Sequence, residues 1–301
     1  MNFLVTGTVA GAEAFMKKLK EAGHNAVFMQ YENGELPCDY SFCEGIICNF
    51  LFKHHNIEKF TNLKYLQLTS AGYDRIDIDY VKKHGITLFN AGDVYSIPMA
   101  EFAISGVLQL YKKSSFFYGN KSEHKWEKNR EIKELYGKRV CVVGCGNVGR
   151  ESAKRFKGFG CRVYGVNRTV REDECFDKIL PLSELASETA KADIVLISIA
   201  KIPETEKIIS EDIIKALKKD AVLINLARGE IVDETALIKA LETYEIFGAV
   251  LDVFECDPLC ADSPLWELEN VVLTPHNSFI GENNADRMHS LIFENMKKSN
   301  V

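Results

Sequence analysis

The chain has 301 residues, 46% of them hydrophobic and 27% charged, with a formal charge of −6. At about 150 residues per domain this length suits about two domains, and the composition excludes a disordered chain, a collagen, a coiled coil and a mucin. The acidic balance argues against a generic nucleic-acid binder, and no apolar run approaches the ~20 residues of a membrane span.

Residues 3–6 predict a strand, followed by a turn at Gly7 and Gly11 and a helix over about 12–22 that Gly23 stops. The N-terminus has neither a basic stretch nor a long apolar stretch, so no signal peptide is expected. Apolar strands are predicted at 45–48 and 64–68, the latter running into Ser70-Ala71-Gly72. A helix at 77–83 and a strand at 86–89 continue an alternation that points to a parallel sheet. Pro98 opens a long apolar helix, about 98–118, and the Lys- and Glu-rich stretch 120–133 reads as an exposed loop or partner arm. From Arg139 the alternation restarts. Strands are predicted at 139–143, 162–166, 193–197, 221–225, 247–251 and 271–274, with helices at 147–158, 183–190, 210–218 and 233–243. This is a second doubly wound unit. A final helix spans about 281–298.

Nine cysteines stand at 38, 43, 48, 141, 145, 161, 175, 256 and 260. The count is odd and no pair has the C-x-x-C spacing of a zinc site, so no metal is expected. Cys256 and Cys260 have only His276 nearby, and that residue has a better use. Cys141 and Cys161 fall in short apolar runs, where a thiol behaves as a small buried hydrophobe. Free thiols in a reducing cytosol are the expectation.

Gly144, Gly146 and Gly149 fit G-x-G-x-x-G, directly after a strand and before a helix. The first glycine permits the tight turn, the second lets backbone approach a pyrophosphate, and the third lets helix and strand pack closely. The helix N-terminus adds free N–H groups and a positive dipole end. The next strand ends at Asn167, 18 residues past Gly149, where an acid would take the ribose hydroxyls of NAD. Here the run is Asn167-Arg168-Thr169 with Arg171 close by, and an arginine fork suits a 2′-phosphate. NADP(H) is therefore the preferred cofactor and NAD(H) the alternative. In the alternative, Asn167 still binds ribose and Arg168 stacks on adenine.

Three later segments complete a pattern: 225–229 (Asn-Leu-Ala-Arg-Gly) with 231–237, then 248–254 with Asp257-Pro258 and 263–266, then 273–276 (Leu-Thr-Pro-His). With the glycine turn, the 69–77 motif and Ala100-Glu101-Phe102-Ala103, this order resembles the D-isomer-specific 2-hydroxyacid dehydrogenase family over nearly the whole chain. The resemblance implies that Arg228 binds the substrate carboxylate and polarises its carbonyl. His276 would be the general acid, or the base in reverse, because imidazole exchanges protons near neutral pH. Its acidic partner falls on Asp257, 29 residues past Arg228. Most of the family carries Glu there; Asp is one methylene shorter, so a backbone shift or a looser bond is expected. Asp252 would contact the nicotinamide carboxamide. The cofactor set is completed by Asn147, Val148, Ile199 and Thr205.

The amides of Ser70, Ala71 and Gly72 would hold the substrate carboxylate. Asn49, Phe50, Leu51, Phe52, Tyr73 and Tyr95 are candidates for the side-chain pocket, since ligands bind at the carboxyl ends of strands. His54-His55 reads as solvated loop and Lys201 as solvated surface.

The expected fold is α/β, with a Rossmann nucleotide-binding domain at 97–278 inserted in a flavodoxin-like substrate domain made of 1–96 and the helix of 279–301. The active site is expected between the lobes, with hinge closure excluding water. The resemblance also implies a homodimer built on the long helix and the 120–133 arm, with no nucleic-acid or membrane partner. The leading expectation is an NADPH-dependent reductase of small 2-keto acids such as glyoxylate, hydroxypyruvate or pyruvate. An NAD-dependent dehydrogenase of D-lactate or phosphoglycerate type is the second. A dinucleotide-sensing, corepressor-like binding protein is the third.

Overall fold

Short, wholly apolar strands alternate with helices along the chain, and such strands are stable only when both faces of their sheet are covered. The computed structural model, which describes residues 1–73, 75–299 and 301, builds two sheets of this kind. Asp74, part of the 69–77 motif, and Asn300 lie outside the described residues. The chain forms two units, Met1–Tyr95 with Gly281–Val301, and Ser96–Ile280.

The first unit runs β1 (Asn2–Thr6), α1 (Ala12–Glu21), β2 (Asn25–Met29), β3 (Gly45–Cys48), α2 (Leu51–His54), β4 (Tyr65–Leu68), α3 (Ile78–Lys83) and β5 (Thr87–Phe89). All pairs are parallel, in the order β2-β1-β3-β4-β5. Alternate residues feed opposite faces. Leu4, Ile46, Cys48, Leu66 and Leu68 pack on one side, and Phe3, Val5, Ile47 and Tyr65 on the other.

The second unit runs α4 (Ser96–Tyr111), α5 (Ser114–Ser122), β6 (Arg139–Val143), α6 (Asn147–Gly158), β7 (Arg162–Asn167), β8 (Lys178–Pro181), α7 (Leu185–Thr189), β9 (Ile194–Ile197), α8 (Glu211–Ala216), β10 (Val222–Asn225), α9 (Glu234–Glu242), β11 (Gly248–Leu251) and β12 (Val271–Leu273). Its parallel sheet has the order β12-β11-β10-β9-β6-β7-β8. Both sheets match the expected α/β, doubly wound class. The order reverses between β1 and β3 in the first sheet and between β6 and β9 in the second, the places where such sheets open a crevice for ligands.

Several expectations need correction. The helix expected over about 98–118 is broken: α4 stops at Tyr111, Lys113 adopts a left-handed conformation (φ 52°), and α5 starts anew. Strands β2 and β8 were not expected. Both are edge strands, half exposed, so their apolar pattern is diluted by polar positions. His55 is not a solvated loop residue; it is half-buried, with Nδ1 3.2 Å from the Tyr40 hydroxyl.

The last helix, α10 (Asn284–Lys298), returns to the first unit and buries Met288, His289, Ile292, Asn295 and Met296 at helical spacing. It is fastened by polar bonds as well as by packing. Asn295 Nδ2 donates to Gln67 Oε1 at 2.9 Å, and Gln67 Nε2 donates to the carbonyls of Leu68 and Asn90 at 2.9 and 2.8 Å. Asn295 and Gln67 are both buried. Removing one partner of a buried pair costs about 1–3 kcal/mol. Asn295→Ala is therefore expected to lower the stability of the first unit by that amount. Urea unfolding followed by fluorescence checks this; an unchanged midpoint refutes it.

Candidate active site

Parallel strands place all their carboxyl ends along one edge, so the loops leaving β9, β6 and β7 are neighbours, as are those leaving β10, β11 and β12. The first trio carries the glycine turn. Gly144 has φ 99°, and a Cβ there would lie 2.5 Å from the Ile199 backbone nitrogen. A Cβ on Gly149 would lie 2.2 Å from the Gly144 carbonyl oxygen, so the start of α6 packs directly on the turn. Gly146, by contrast, has nothing within 4 Å of its Cβ direction, and it caps α6 with Asn147 exposed beside it. Open space in front of the amino end of a twelve-residue helix fits a pyrophosphate. The residues present therefore fit a dinucleotide.

The spacer Cys145 is buried, and a Cβ on Gly165 of β7 would lie 2.3 Å from its Sγ. Burial pushes its thiol up to about 12. It is a packing residue inside the turn. The side chain of Asn167 closes the same turn: Oδ1 accepts the Cys145 N–H at 3.4 Å, and Nδ2 donates to the Thr169 carbonyl at 3.0 Å. Arg168 and Thr169 are exposed. Arg171 Nη2 reaches the Cys145 carbonyl at 3.4 Å. Asp173, close by in sequence, is paired with Arg150 at 2.7 Å and with Arg171 at 3.8 Å. Burial works against its ionised form, but hydrogen bonds at Cys175 and the two guanidiniums outweigh this and hold it below the usual carboxylate range. Val148 and Ile199 are half-buried at the turn. Thr205 is different. It is 2% exposed, and its hydroxyl accepts the Ile202 N–H and meets the Ala200 carbonyl at 2.9 Å, so it shapes its own loop.

The second trio carries the reactive groups. After β10, the buried Asn225 side chain accepts the Ala227 N–H at 3.1 Å and donates to the Arg228 carbonyl at 2.9 Å. Gly229 lies so close to β11's exit that a Cβ would be 1.8 Å from the Phe254 carbonyl carbon. Together they fix the backbone that presents the half-buried Arg228, whose Nη1 also donates to the Ala227 carbonyl at 2.7 Å.

After β12, His276 sits in the left-handed region (φ 51°), and its N–H donates to the Asp252 carbonyl at 2.9 Å. The Asp252 carboxylate accepts the Thr274 hydroxyl at 2.6 Å and the N–H groups of Asn277 and Ser278 at 2.7 and 3.0 Å. It is 1% exposed. The carboxylate of Asp252, expected to contact the nicotinamide, binds the loop that carries His276.

The His276 Nδ1 lies 2.9 Å from Asp257 Oδ2, an ordinary hydrogen-bond distance. The shorter acid thus reaches without a loosened bond. A carboxylate only accepts, so Nδ1 carries the proton and Nε2 is left to exchange one. Glu255, two residues before Asp257, is tied to α9: its N–H donates to Glu234 Oε2 at 2.9 Å. Lys201, expected as solvated surface, is exposed and ion-paired with Glu230.

In the first unit, the start of the loop leaving β4 has the carbonyls of residues 69–72 occupied. Thr69 O accepts the Tyr95 hydroxyl, Ser70 O the Ala91 N–H at 2.9 Å, Ala71 O the Asn90 Nδ2 at 2.6 Å, and Gly72 O the Ser70 hydroxyl at 3.1 Å. In a trans peptide C=O and N–H point in opposite directions. Tying the carbonyls of Thr69, Ser70 and Ala71 therefore leaves the N–H groups of Ser70, Ala71 and Gly72 each directed away from its tied carbonyl. Tyr95 serves this loop; burial pushes its phenol above the usual range, which keeps it a neutral donor.

Of the other pocket candidates, Leu51 is fully buried in the core, and the half-buried Phe52 packs on Phe60. Asn49 and Phe50 are half-buried at the end of β3 and Tyr73 is exposed. Two residues not anticipated from sequence share this end: Glu32 and Arg75. Only the 69–77 motif pointed toward Arg75, and nothing local in the sequence pointed to Glu32. Among the described residues, no group of three or more His, Cys, Asp or Glu side chains could hold a metal ion, and no helix is long and apolar enough to cross a membrane.

Residues 104–278 match the model of the D-isomer specific 2-hydroxyacid dehydrogenase NAD binding domain. A glyoxylate reductase of Korarchaeum cryptofilum is 34% identical over 244 residues, 78% of this chain and 72% of that protein. A D-3-phosphoglycerate dehydrogenase of Methanocaldococcus jannaschii is 33% identical over 80% of this chain, but the match spans only 46% of its own length. Among solved structures, an NADPH-dependent glyoxylate/hydroxypyruvate reductase of Sinorhizobium meliloti superposes with a TM-score of 0.83 at 26% identity, covering 98% of this chain and 93% of that one. The chain belongs to the D-isomer specific 2-hydroxyacid dehydrogenase family.

Proposed function

We propose that this chain is an oxidoreductase that reduces small 2-keto acids, of the glyoxylate and hydroxypyruvate kind, to D-2-hydroxy acids with NADPH. The observation that carries the reading is the 2.9 Å His276–Asp257 bond, on a loop beside the Arg228 turn in the same sheet as the glycine turn. The glyoxylate reductase relative supports this substrate class better than the phosphoglycerate dehydrogenase, of which less than half is matched.

A bound nicotinamide dinucleotide supplies the hydride to the carbonyl carbon. Gly144, Gly146, Asn147, Val148 and Gly149 would hold its pyrophosphate, and Asn167, Arg168 and Thr169 its ribose end. Arg228 grips the keto acid through two parallel N–H bonds and draws electron density toward the carbonyl oxygen. His276 Nε2 hands a proton to that oxygen as it gains negative charge, while Asp257 keeps Nδ1 protonated and stabilises the cationic ring. On the first unit, the amides of Ser70, Ala71 and Gly72 are the candidate carboxylate nest.

His276→Ala is expected to lower kcat by about 10²-fold or more, the scale of acid–base catalysis, with dinucleotide affinity retained. Arg228→Ala should act mainly on kcat/KM for the keto acid. Steady-state kinetics on a keto-acid panel check both, and normal activity in either variant refutes the assigned role.

The cofactor preference rests on Arg168 and Arg171, with Asp173 already neutralised by Arg150 and Arg171. Arg168→Ala is expected to cut kcat/KM for NADPH by about 10- to 100-fold, the worth of one charged hydrogen bond, and to leave NADH nearly unchanged. A wild-type enzyme that favours NADH would overturn the preference.

We also infer a homodimer in a reducing cytosol. The nine cysteines are unpaired. The segment after α4 exposes Trp126 completely, together with Phe117, Tyr118 and Tyr136. Large aromatics left exposed along one segment fit a protein–protein contact. Trp126→Glu should give a monomer in sedimentation velocity; a monomeric wild type would sink the inference.

A further inference from the structure

The carboxyl ends of β1, β3 and β4 gather a set of polar groups that the steps above do not use. Glu32 is 8% exposed, and its Oε1 accepts the Thr6 hydroxyl and the Asn49 N–H, each at 2.7 Å. Its Oε2 accepts the Phe50 N–H. Both oxygens of this buried carboxylate are thus engaged locally, and the Asn49–Phe50 segment is held rigidly at the end of β3. Arg75 is mounted on that segment. Its Nη1 donates to Asn49 Oδ1, and its guanidinium carbon lies 3.5 Å from the Phe50 ring centroid.

This mounting has chemical consequences. A stacked guanidinium has one face shielded from water, while its five N–H donors lie in plane around the edge. The Asn49 bond and the ring contact have already removed rotamer freedom, so a ligand does not bear that entropy. The register of β3 and β4 pairs Cys48 with Leu68, and the Thr69 N–H donates to the Cys48 carbonyl at 2.8 Å. Asn49 and Thr69 therefore leave adjacent strands, about 4.8 Å apart. Arg75 is thus mounted on the segment that leaves β3, beside the strand end that carries the candidate Ser70–Gly72 nest.

We propose that Arg75, held by Asn49 and Phe50 and backed by Glu32, is a specificity residue that binds a second carboxylate at the far end of the substrate, so that dicarboxylic 2-keto and D-2-hydroxy acids are favoured over apolar ones. This rests on the reading of the chain as a keto-acid reductase and adds the substrate class. A guanidinium can take a carboxylate through two parallel N–H bonds, whereas a methyl group offers it no acceptor.

The test compares D-malate with D-2-hydroxybutyrate, which differ by a carboxylate in place of a methyl group. Titration calorimetry is done on the full chain saturated with NADP⁺. The wild type is expected to bind D-malate at least about tenfold more tightly. Arg75→Leu should erase that ratio, and Arg75→Lys should restore part of it, which shows that the substituted chain still folds. Equal affinities in the wild type, no binding of either acid, or a ratio that survives Arg75→Leu would each overturn the proposal. A parallel glyoxylate assay with NADPH separates the two readings. Turnover without a malate preference removes the subsite alone, whereas a malate preference without turnover of any keto acid removes the reductase reading alone.

Discussion

The reactive end of the second unit depends on one buried carboxylate. Asp252 gathers a hydroxyl and two backbone N–H groups from residues 274–278, and its own carbonyl accepts the N–H of His276. That histidine is held at φ 51°, a conformation that costs an L-residue about 1–2 kcal/mol. Hydrogen bonds to a charged group contribute about 1.5–3 kcal/mol each. Three of them outweigh the backbone cost, so the loop keeps a geometry that histidine would not choose alone. The imidazole is thereby aimed by a residue that need not touch a reacting atom.

The same economy of position governs the whole sheet. Because every strand is parallel, every carboxyl end lies on one edge, and the strand order decides which loops are neighbours. The β9-β6-β7 group presents Ile199, the glycine turn and Asn167. The β10-β11-β12 group presents Arg228, Asp257 and His276. Close backbone approaches make these loops stiff: Gly144 against Ile199, and Gly229 against Phe254. In each case the missing Cβ is what allows one strand-end loop to rest on another, so the glycines serve packing as much as ligand access.

What could be read from the sequence followed from periodicity and local motifs. The central strands, buried on both faces, appear as unbroken apolar runs, and the glycine turn declares itself by spacing. The edge strands β2 and β8 were invisible because solvent on one side dilutes the pattern. The break at Lys113 was invisible because neither proline nor glycine marks it; a lysine takes the left-handed turn. Roles that depend on where a side chain points were the least legible. Thr205 and Asp252 lie in the expected motifs, but their motifs do not reveal the bonds by which their polar atoms also shape their own loops. Glu32 lies 17 residues before the segment it supports, with no periodic signal linking the two. Such contacts are products of the fold and cannot be seen in a window of neighbours.

The short acid beside His276 illustrates the same principle in the other direction. One methylene fewer called for a backbone shift or a looser bond, and the bond is not loose, because reach is set by the backbone as well as by the side chain. The loop leaving β11 is pinned two residues earlier, where the Glu255 N–H is held by Glu234 and the Glu255 carboxylate pairs with Lys207 at 3.0 Å. His276 approaches from the other side on a loop that Asp252 fixes. With both ends anchored, the gap between them is determined before the side chain is chosen, and it is one that aspartate fills at 2.9 Å. A longer glutamate in the same frame would have to fold back or displace one of the anchors. The identity of the acid and the anchoring of its loop are therefore a matched pair, and neither can be judged from the motif alone.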